Sequence, residues 1–98
     1  MLSNLLENKL IDGSRHFVDM PEVAFFDDFY DHTEELEGAR LTEIVTDGVT
    51  GMWLDFEFRG HEFSVTNQFG DYWFFVRDPE CSEEILFEII EHFRQLLD

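Results

Sequence analysis

The sequence predicts an α+β domain: an antiparallel meander of about four strands, with a C-terminal helix packed on one face and one or two N-terminal helices. Three observations lead to this fold class. Within residues 40–77, apolar residues alternate in short segments separated by glycine-containing turns, which is typical of antiparallel strands. Residues 85–97 carry apolar side chains at i, i+3 and i+4 spacing, which indicates an amphipathic helix. The length of 98 residues fits a single domain, residues 1–98.

Two helices are expected before the strands. Ser3 can cap a first short helix whose leucines lie near helical spacing, and Gly13 can end it. Residues 19–22, DMPE, have a capping-box pattern and predict the start of a second helix, which Gly38 would end. The residues expected on one packed face of this second helix are Phe25, Phe26, Phe29, Thr33 and Leu36.

The first three strands are predicted from alternation and turn residues. Residues 40–46 are rich in β-branched side chains and end at Asp47-Gly48, a turn signal. Residues 52–58, MWLDFEF, alternate between an apolar face and a second face. The apolar face carries Met52, Leu54, Phe56 and Phe58. An Arg-Gly pair then predicts a two-residue hairpin turn into residues 61–66, because glycine tolerates positive φ.

This hairpin specifies its own register. A two-residue turn places Phe56 opposite Phe63 on the apolar face. On the second face it places Glu57 opposite Glu62, which is an unfavourable pairing of like charges.

A row of four aromatic residues characterises the last strand, residues 71–77, DYWFFVR. A four-residue loop before this strand would bury Tyr72, Phe74 and Val76 in the core. The side chains then placed on the second face are Trp73, Phe75 and Arg77. A five-residue loop would exchange the two sets, because a slip of one residue moves every side chain to the other face. We favour the four-residue loop, although both registers leave large aromatic side chains on the second face.

The C-terminal helix has start signals as well as an apolar stripe. Ser82 can cap it, and Glu83 and Glu84 fall in the first turn, where the helix dipole favours negative charge. The apolar stripe consists of Ile85, Leu86, Ile89, Ile90, Phe93, Leu96 and Leu97. This helix is therefore expected to pack on the sheet.

The charge balance restricts the classes of partner. The chain has 23 Asp and Glu residues against 6 Lys and Arg residues, for a net charge of −17. The negative electrostatic field of such a chain repels nucleic-acid phosphates and anionic lipid. We therefore expect no direct nucleic-acid partner and no membrane partner. The same field favours encounter with basic proteins. Solubility and adaptation to salt also favour abundant carboxylates, and Lys9 is the only lysine.

The sequence contains no apolar stretch long enough to span a membrane and no basic, then apolar, N-terminal segment typical of a signal peptide. A single cysteine, Cys81, suits a reducing compartment, so a cytoplasmic location is expected. Because Cys81 is surrounded in sequence by glutamates, which raise a thiol pKa, we expect it to be inert.

Two surfaces are candidates for binding a partner protein. The second face of the sheet combines acids and aromatic side chains that suit an Arg or Lys from a partner: Trp53, Glu57, Glu62, Trp73 and Phe75. The second helix carries a run of acids, of which Asp27, Asp31 and Glu35 are the candidates. The alternative is that Arg59 and Arg77 neutralise the acids and the second helix covers the tryptophans.

Two acid-to-histidine pairs could carry chemistry. Asp28 precedes His32 by four residues, and Glu88 precedes His92 by four residues. If the two helices met, these side chains could bind a divalent metal ion. Such spacings arise by chance in an acidic chain, so no cofactor, metal or catalytic residue is expected.

The sequence thus favours a small acidic protein without catalytic activity that binds a basic partner protein, of the inhibitor, immunity or antitoxin type. A self-associating structural or chaperone-like protein, with its second sheet face buried in a homodimer, is the alternative. A metal-dependent enzyme using His32 and His92 is a third hypothesis. Coverage of the second sheet face by the second helix would argue against partner binding.

Overall fold

The computed structural model describes residues 5–23, 25–46 and 51–97, apart from the side chain of Phe26. Within these residues six strands form one antiparallel sheet, with the order β1-β2-β6-β5-β4-β3. The strands are β1 (Asn8–Lys9), β2 (Arg15–Pro21), β3 (Ala39–Thr46), β4 (Met52–Phe58), β5 (His61–Thr66) and β6 (Asp71–Val76). The helices in the same part of the chain are α1 (Phe26–Glu34) and α2 (Glu83–Leu97).

Both helices pack on the same face of the sheet. Phe29 of α1 stacks on Tyr72 of β6, with ring centroids 4.4 Å apart, and on Phe93 of α2, with centroids 4.7 Å apart. Phe93 in turn contacts Phe74 and Phe56, at centroid distances of 5.2 and 6.2 Å. The core therefore lies between this face of the sheet and the two helices.

The α+β class, the antiparallel sheet and the C-terminal helix are confirmed. The helix α2 begins as expected, because Ser82 Oγ accepts a hydrogen bond from the backbone N–H of Glu84 at 3.2 Å. Its buried residues are Leu86, Ile89, Ile90, Phe93 and Leu97. Among the residues described, no helix has both the length and the hydropathy needed to cross a membrane.

The prediction of about four strands was too low, because β1 lies where the first helix was expected and β2 follows it, where no strand was expected. Ser3, the expected cap, lies outside the described residues. Gly13 lies in the turn between β1 and β2 with φ +93°. The segment is held extended by contacts with β2: the Leu6 N–H donates to the Phe17 carbonyl at 2.8 Å, and Arg15 Nε donates to the Leu6 carbonyl at 2.7 Å. Pairing of β1 with β2 outweighs the helical spacing of the leucines before Gly13.

The second predicted helix exists, but its start was wrong. Asp19 lies in β2 and hydrogen-bonds His16 instead of capping a helix. The helix α1 begins at Phe26, and its N-cap residue Phe25 makes no side-chain capping hydrogen bond. Phe25 was expected on the packed face but is 84% exposed, whereas Phe29 is fully buried. Gly38 follows the helix with φ +91°, a value that glycine adopts without strain.

The central hairpin has the predicted register. Phe56 lies opposite Phe63, and Glu57 lies opposite Glu62. Arg59 and Gly60 both have positive φ, 52° and 81°, as a two-residue type I′ turn requires. The turn predicted at Asp47-Gly48 lies outside the described residues.

In the last hairpin the side chains lie on the predicted faces of the sheet, but the pairing register of β5 and β6 differs from the predicted one. Tyr72, Phe74 and Val76 are buried in the core, as favoured. A four-residue loop would place Thr66 opposite Asp71, but the structure pairs Thr66 with Trp73. This shift of two residues preserves the sides because side chains alternate with a period of two.

Substitution of Phe29 tests the position of the core. We expect Phe29→Ala to lower the free energy of unfolding by about 3–5 kcal/mol, because it removes the ring stacked on Tyr72 and Phe93. Urea denaturation followed by circular dichroism measures this change. The matched control is Phe25→Ala, which removes an exposed ring four residues earlier and should change stability little. Equal losses in the two variants would contradict this core.

Candidate functional site

The side of the sheet opposite α1 and α2 is here called the open face. Neither described helix lies against it, because both pack on the core face through Phe29 and Phe93. The open face contains all five candidate residues that the sequence placed on the second face of the sheet. Its principal side chains are His16, Asp19, Arg40, Trp53, Asp55, Glu57, Glu62, Ser64, Trp73, Phe75 and Arg77.

A row of rings crosses the open face. Trp53 stacks near-parallel to Phe75, with centroids 5.7 Å apart. On the other side of Phe75 lies His16, at 5.2 Å, and His16 stacks on Trp73 at 4.4 Å. Phe75 is only 5% exposed as a result, while Trp53 and Trp73 are half-buried. Phe69, from the loop before β6, covers part of Trp73 at 4.4 Å.

An irregularity in β2 places His16 in this row. The register between β2 and β6 shifts between His16 and Val18, so that Phe17 is the additional residue of a β-bulge. Phe17 is buried in the core, while His16 and Asp19 both face outwards and hydrogen-bond each other through His16 Nε2 and Asp19 Oδ1. The sequence prediction missed both residues, since it placed Asp19 at a helix start.

Asp55 links the aromatic row to its polar neighbours. One of its carboxylate oxygens, Oδ1, accepts hydrogen bonds from the Trp53 indole N–H at 2.9 Å and from Ser64 Oγ at 2.6 Å. These bonds fix the orientation of the Trp53 ring. Asp55 was not a predicted site residue, although its position two residues after Trp53 places it on the same face.

The glutamate pair at the rim is compensated by arginines. Arg40 Nη2 lies 2.6 Å from Glu57 Oε1, and Arg77 Nη1 lies 3.5 Å from Glu62 Oε1. Arg77 thus lies beside Glu62, as the alternative to partner binding expected, but Arg59 binds Glu88 of α2 at 2.7 Å instead. Since all four rim side chains are exposed, these ion pairs are individually weak.

A groove of about 180 Å³ lies beside the aromatic row. The side chains that define its chemistry are Asp12, Trp53, Asp55, Glu62, Phe75 and Arg77. Asp12 comes from the turn between β1 and β2. The N–H and hydroxyl of Ser14 both donate to Asp12 and hold the pKa of that carboxyl below its usual range. Asp12 is therefore ionised at neutral pH.

The acids of α1 form a separate surface. Asp27, Asp31 and Glu35 are exposed. Because α1 packs on the core face, these acids and the aromatic row lie on opposite sides of the sheet. The two candidate surfaces predicted from the sequence are therefore not joined.

The histidines of the two helices do meet. His32 and His92 stack with centroids 4.0 Å apart, and each Nε2 lies 2.6 Å from the backbone carbonyl oxygen of the other residue. Both Nε2 atoms therefore carry hydrogens and donate. Asp28 and Glu88 do not join them in a metal-ligating group, and Glu88 binds Arg59. Within the described ranges no cluster of three such ligands occurs.

The remaining candidate nucleophile is buried. Cys81 is 5% exposed at the start of α2, and burial, with Asp78 nearby, raises the pKa of its thiol. The thiol form is therefore favoured at neutral pH.

No family model, no curated protein and no solved structure matches this chain significantly. The arrangement of side chains is therefore the basis for proposing a function.

The histidine pair predicts a pH dependence of stability. Burial lowers the pKa of His92, and the neighbouring His32 opposes a second positive charge. The unfolded chain therefore binds a proton at His92 before the folded protein does. The resulting stability is fully present above about pH 6.5 and is lost as the pH falls towards the lowered pKa.

We expect the free energy of unfolding, measured by urea titration, to fall between pH 7 and pH 5.5 more steeply in the native protein than in His92→Gln. Glutamine retains a donor for the His32 carbonyl but does not titrate. Identical pH dependences in the two proteins would contradict this role of His92.

Proposed function

We propose that the protein is a non-catalytic protein-interaction module, of the inhibitor, immunity or antitoxin type, whose open face binds a basic partner protein. The observation that carries this proposal is the row of Trp53, Phe75 and Trp73 beside carboxylates, on a sheet face against which neither described helix packs.

Aromatic side chains in such a setting suit a binding surface. Tryptophan is among the residues that most often dominate binding energy in protein interfaces. Trp53 is held by its hydrogen bond to Asp55, and Trp73 is held between His16 and Phe69. Because these rings are already ordered, little conformational entropy is lost when a partner covers them.

The charge of the chain supports a basic partner. A net charge of −17 accelerates the encounter with a positively charged protein and disfavours acidic ones. Glu57 and Glu62 lie opposite each other at the rim, and among the described residues their ion pairs are with exposed arginines that a partner can replace. We place this encounter in the cytoplasm, since the sole cysteine is a free thiol.

Self-association through the open face is the second candidate. The half-buried tryptophans would suit a two-fold dimer as well. However, such a dimer would bring two acidic rims and two net charges of −17 together. Light scattering of the purified protein at micromolar concentration separates the two candidates, because the proposed module is a monomer without its partner.

Capture from a lysate of the source cells tests the proposal when two variants are compared. We expect immobilised native protein to retain a basic protein at low salt, and less of it at high salt because salt screens charge. Trp73→Ser should lose this protein, because it removes a ring from the open face. Phe25→Ser should retain it, because it removes an exposed aromatic side chain at the start of α1, away from the open face.

Circular dichroism and urea denaturation first establish that both variants are folded. The proposal is wrong if no retained protein distinguishes Trp73→Ser from Phe25→Ser at either salt concentration.

A further inference from the structure

We infer that the groove beside the aromatic row is a binding site for an arginine side chain of the partner protein. This inference rests on the proposed function, because it names the chemical group that the open face would recognise. The groove combines an excess of negative charge, an ordered carboxylate and the half-buried ring of Trp53.

The negative charge in the groove favours a cationic ligand. Its lining includes three carboxylates, those of Asp12, Asp55 and Glu62, against the single guanidinium of Arg77. Arg77 approaches Glu62 at 3.5 Å, which is longer than the 2.7–2.9 Å typical of a charge-assisted hydrogen bond. The carboxylate of Glu62 therefore retains the capacity to accept a stronger donor.

Asp55 provides the ordered acceptor. The Trp53 indole and the Ser64 hydroxyl both bind its Oδ1 atom, and no described residue donates to Oδ2. The carboxylate is thus held in position by hydrogen bonds to one oxygen atom. This arrangement reduces the entropy lost on binding, as in other preorganised sites.

The Trp53 ring in the groove favours a flat cation. Trp53 and Phe75 both line the groove, but Phe75 lies between Trp53 and His16 and is only 5% exposed, so the half-buried Trp53 ring has the face that a ligand can reach. A guanidinium group can stack on such a face through cation–π attraction while its N–H groups remain in plane for carboxylates. The exposed side chain of Leu10, also at the groove, suits the aliphatic stem of the same residue.

The spacing of the carboxylates favours an arginine side chain over a small ion. The groove has a volume of about 180 Å³. Its carboxylates do not converge on one point, since no three metal-ligating side chains cluster in the described chain. Separated acceptors suit the five spread donors of a guanidinium better than a metal ion or the compact ammonium of lysine.

The experiment uses ¹⁵N-labelled full-length protein and blocked amino acids as probes. The two tryptophans give two indole N–H signals, and Trp53→Phe identifies that of Trp53. The probes are the N-acetyl amides of arginine, of lysine and of citrulline, which has the shape of arginine without its charge. Sodium chloride keeps the ionic strength constant in all titrations.

We expect N-acetyl-arginine amide to shift the Trp53 indole signal saturably, and more tightly than the lysine probe. The citrulline probe should give no saturable shift. Asp55→Asn should weaken arginine binding by about 10-fold or more, because it removes the charge of the ordered acceptor. Glu62→Gln, at an exposed position, is a second variant and should also weaken binding.

Glu34→Gln, an equal change of charge on α1, serves as the control and should leave the affinity close to native. The inference is overturned if citrulline or lysine binds as tightly as arginine, or if Asp55→Asn and Glu62→Gln both bind like Glu34→Gln. Absence of any shift of the Trp53 signal with arginine also overturns it.

Failure of the arginine site can be distinguished from failure of the proposed function. If the arginine probe does not bind while Trp73→Ser still loses a captured protein, the partner engages the open face without this groove. If the arginine probe binds but no protein distinguishes the open-face variants, the site remains and the proposed partner is wrong.

Discussion

Aromatic stacking at the junction of the helices and the sheet is the constraint on which the remaining structure depends. Phe29 contacts Tyr72 and Phe93 together, so α1, α2 and β6 meet around one ring. This contact draws both helices to one side and fills the core from that side alone. The opposite side keeps its own aromatic row, and no described helix covers it. The packing of the core thereby leaves both tryptophans on a face that the two described helices do not cover.

Register shifts in β2 and β3 place polar side chains on the open face. In β2 the bulge turns His16 and Asp19 outwards together and sends Phe17 into the core. A second register shift, in β3, follows Leu41, and Arg40 thereby lies opposite Glu57. A regular strand would place residues three apart on opposite faces. The bulge therefore explains why an acid and an imidazole meet beside the tryptophans.

The parts of the fold that depend on neighbouring residues could be predicted from the sequence, and those that depend on distant ones could not. The turn at Arg59 and Gly60 sets the hairpin register locally, and period-two alternation preserved the faces of β6 despite a different offset. By contrast, β2 is a strand because of its pairing with β6, near the other end of the chain. The sequence therefore predicted one helix from Ser3 to Gly13 and the start of another at residues 19–22, where the structure has β1 and the end of β2. For the site, the aromatic residues and the glutamates were found by alternation. His16 and Asp19 depend on a bulge, which alternation does not reveal.

The position of β2 between β1 and β6 also has a consequence for folding during synthesis. The ribosome produces β2 early, but β6, its main partner strand, emerges only after β3, β4 and β5. Until then the described chain offers β2 only the two residues of β1. The hairpins of β4, β5 and β6 close over short loops, whereas closing the β2–β6 pair must order most of the chain. The nascent polypeptide thus carries an unpaired strand, rich in apolar side chains, until its last sheet strand has been made.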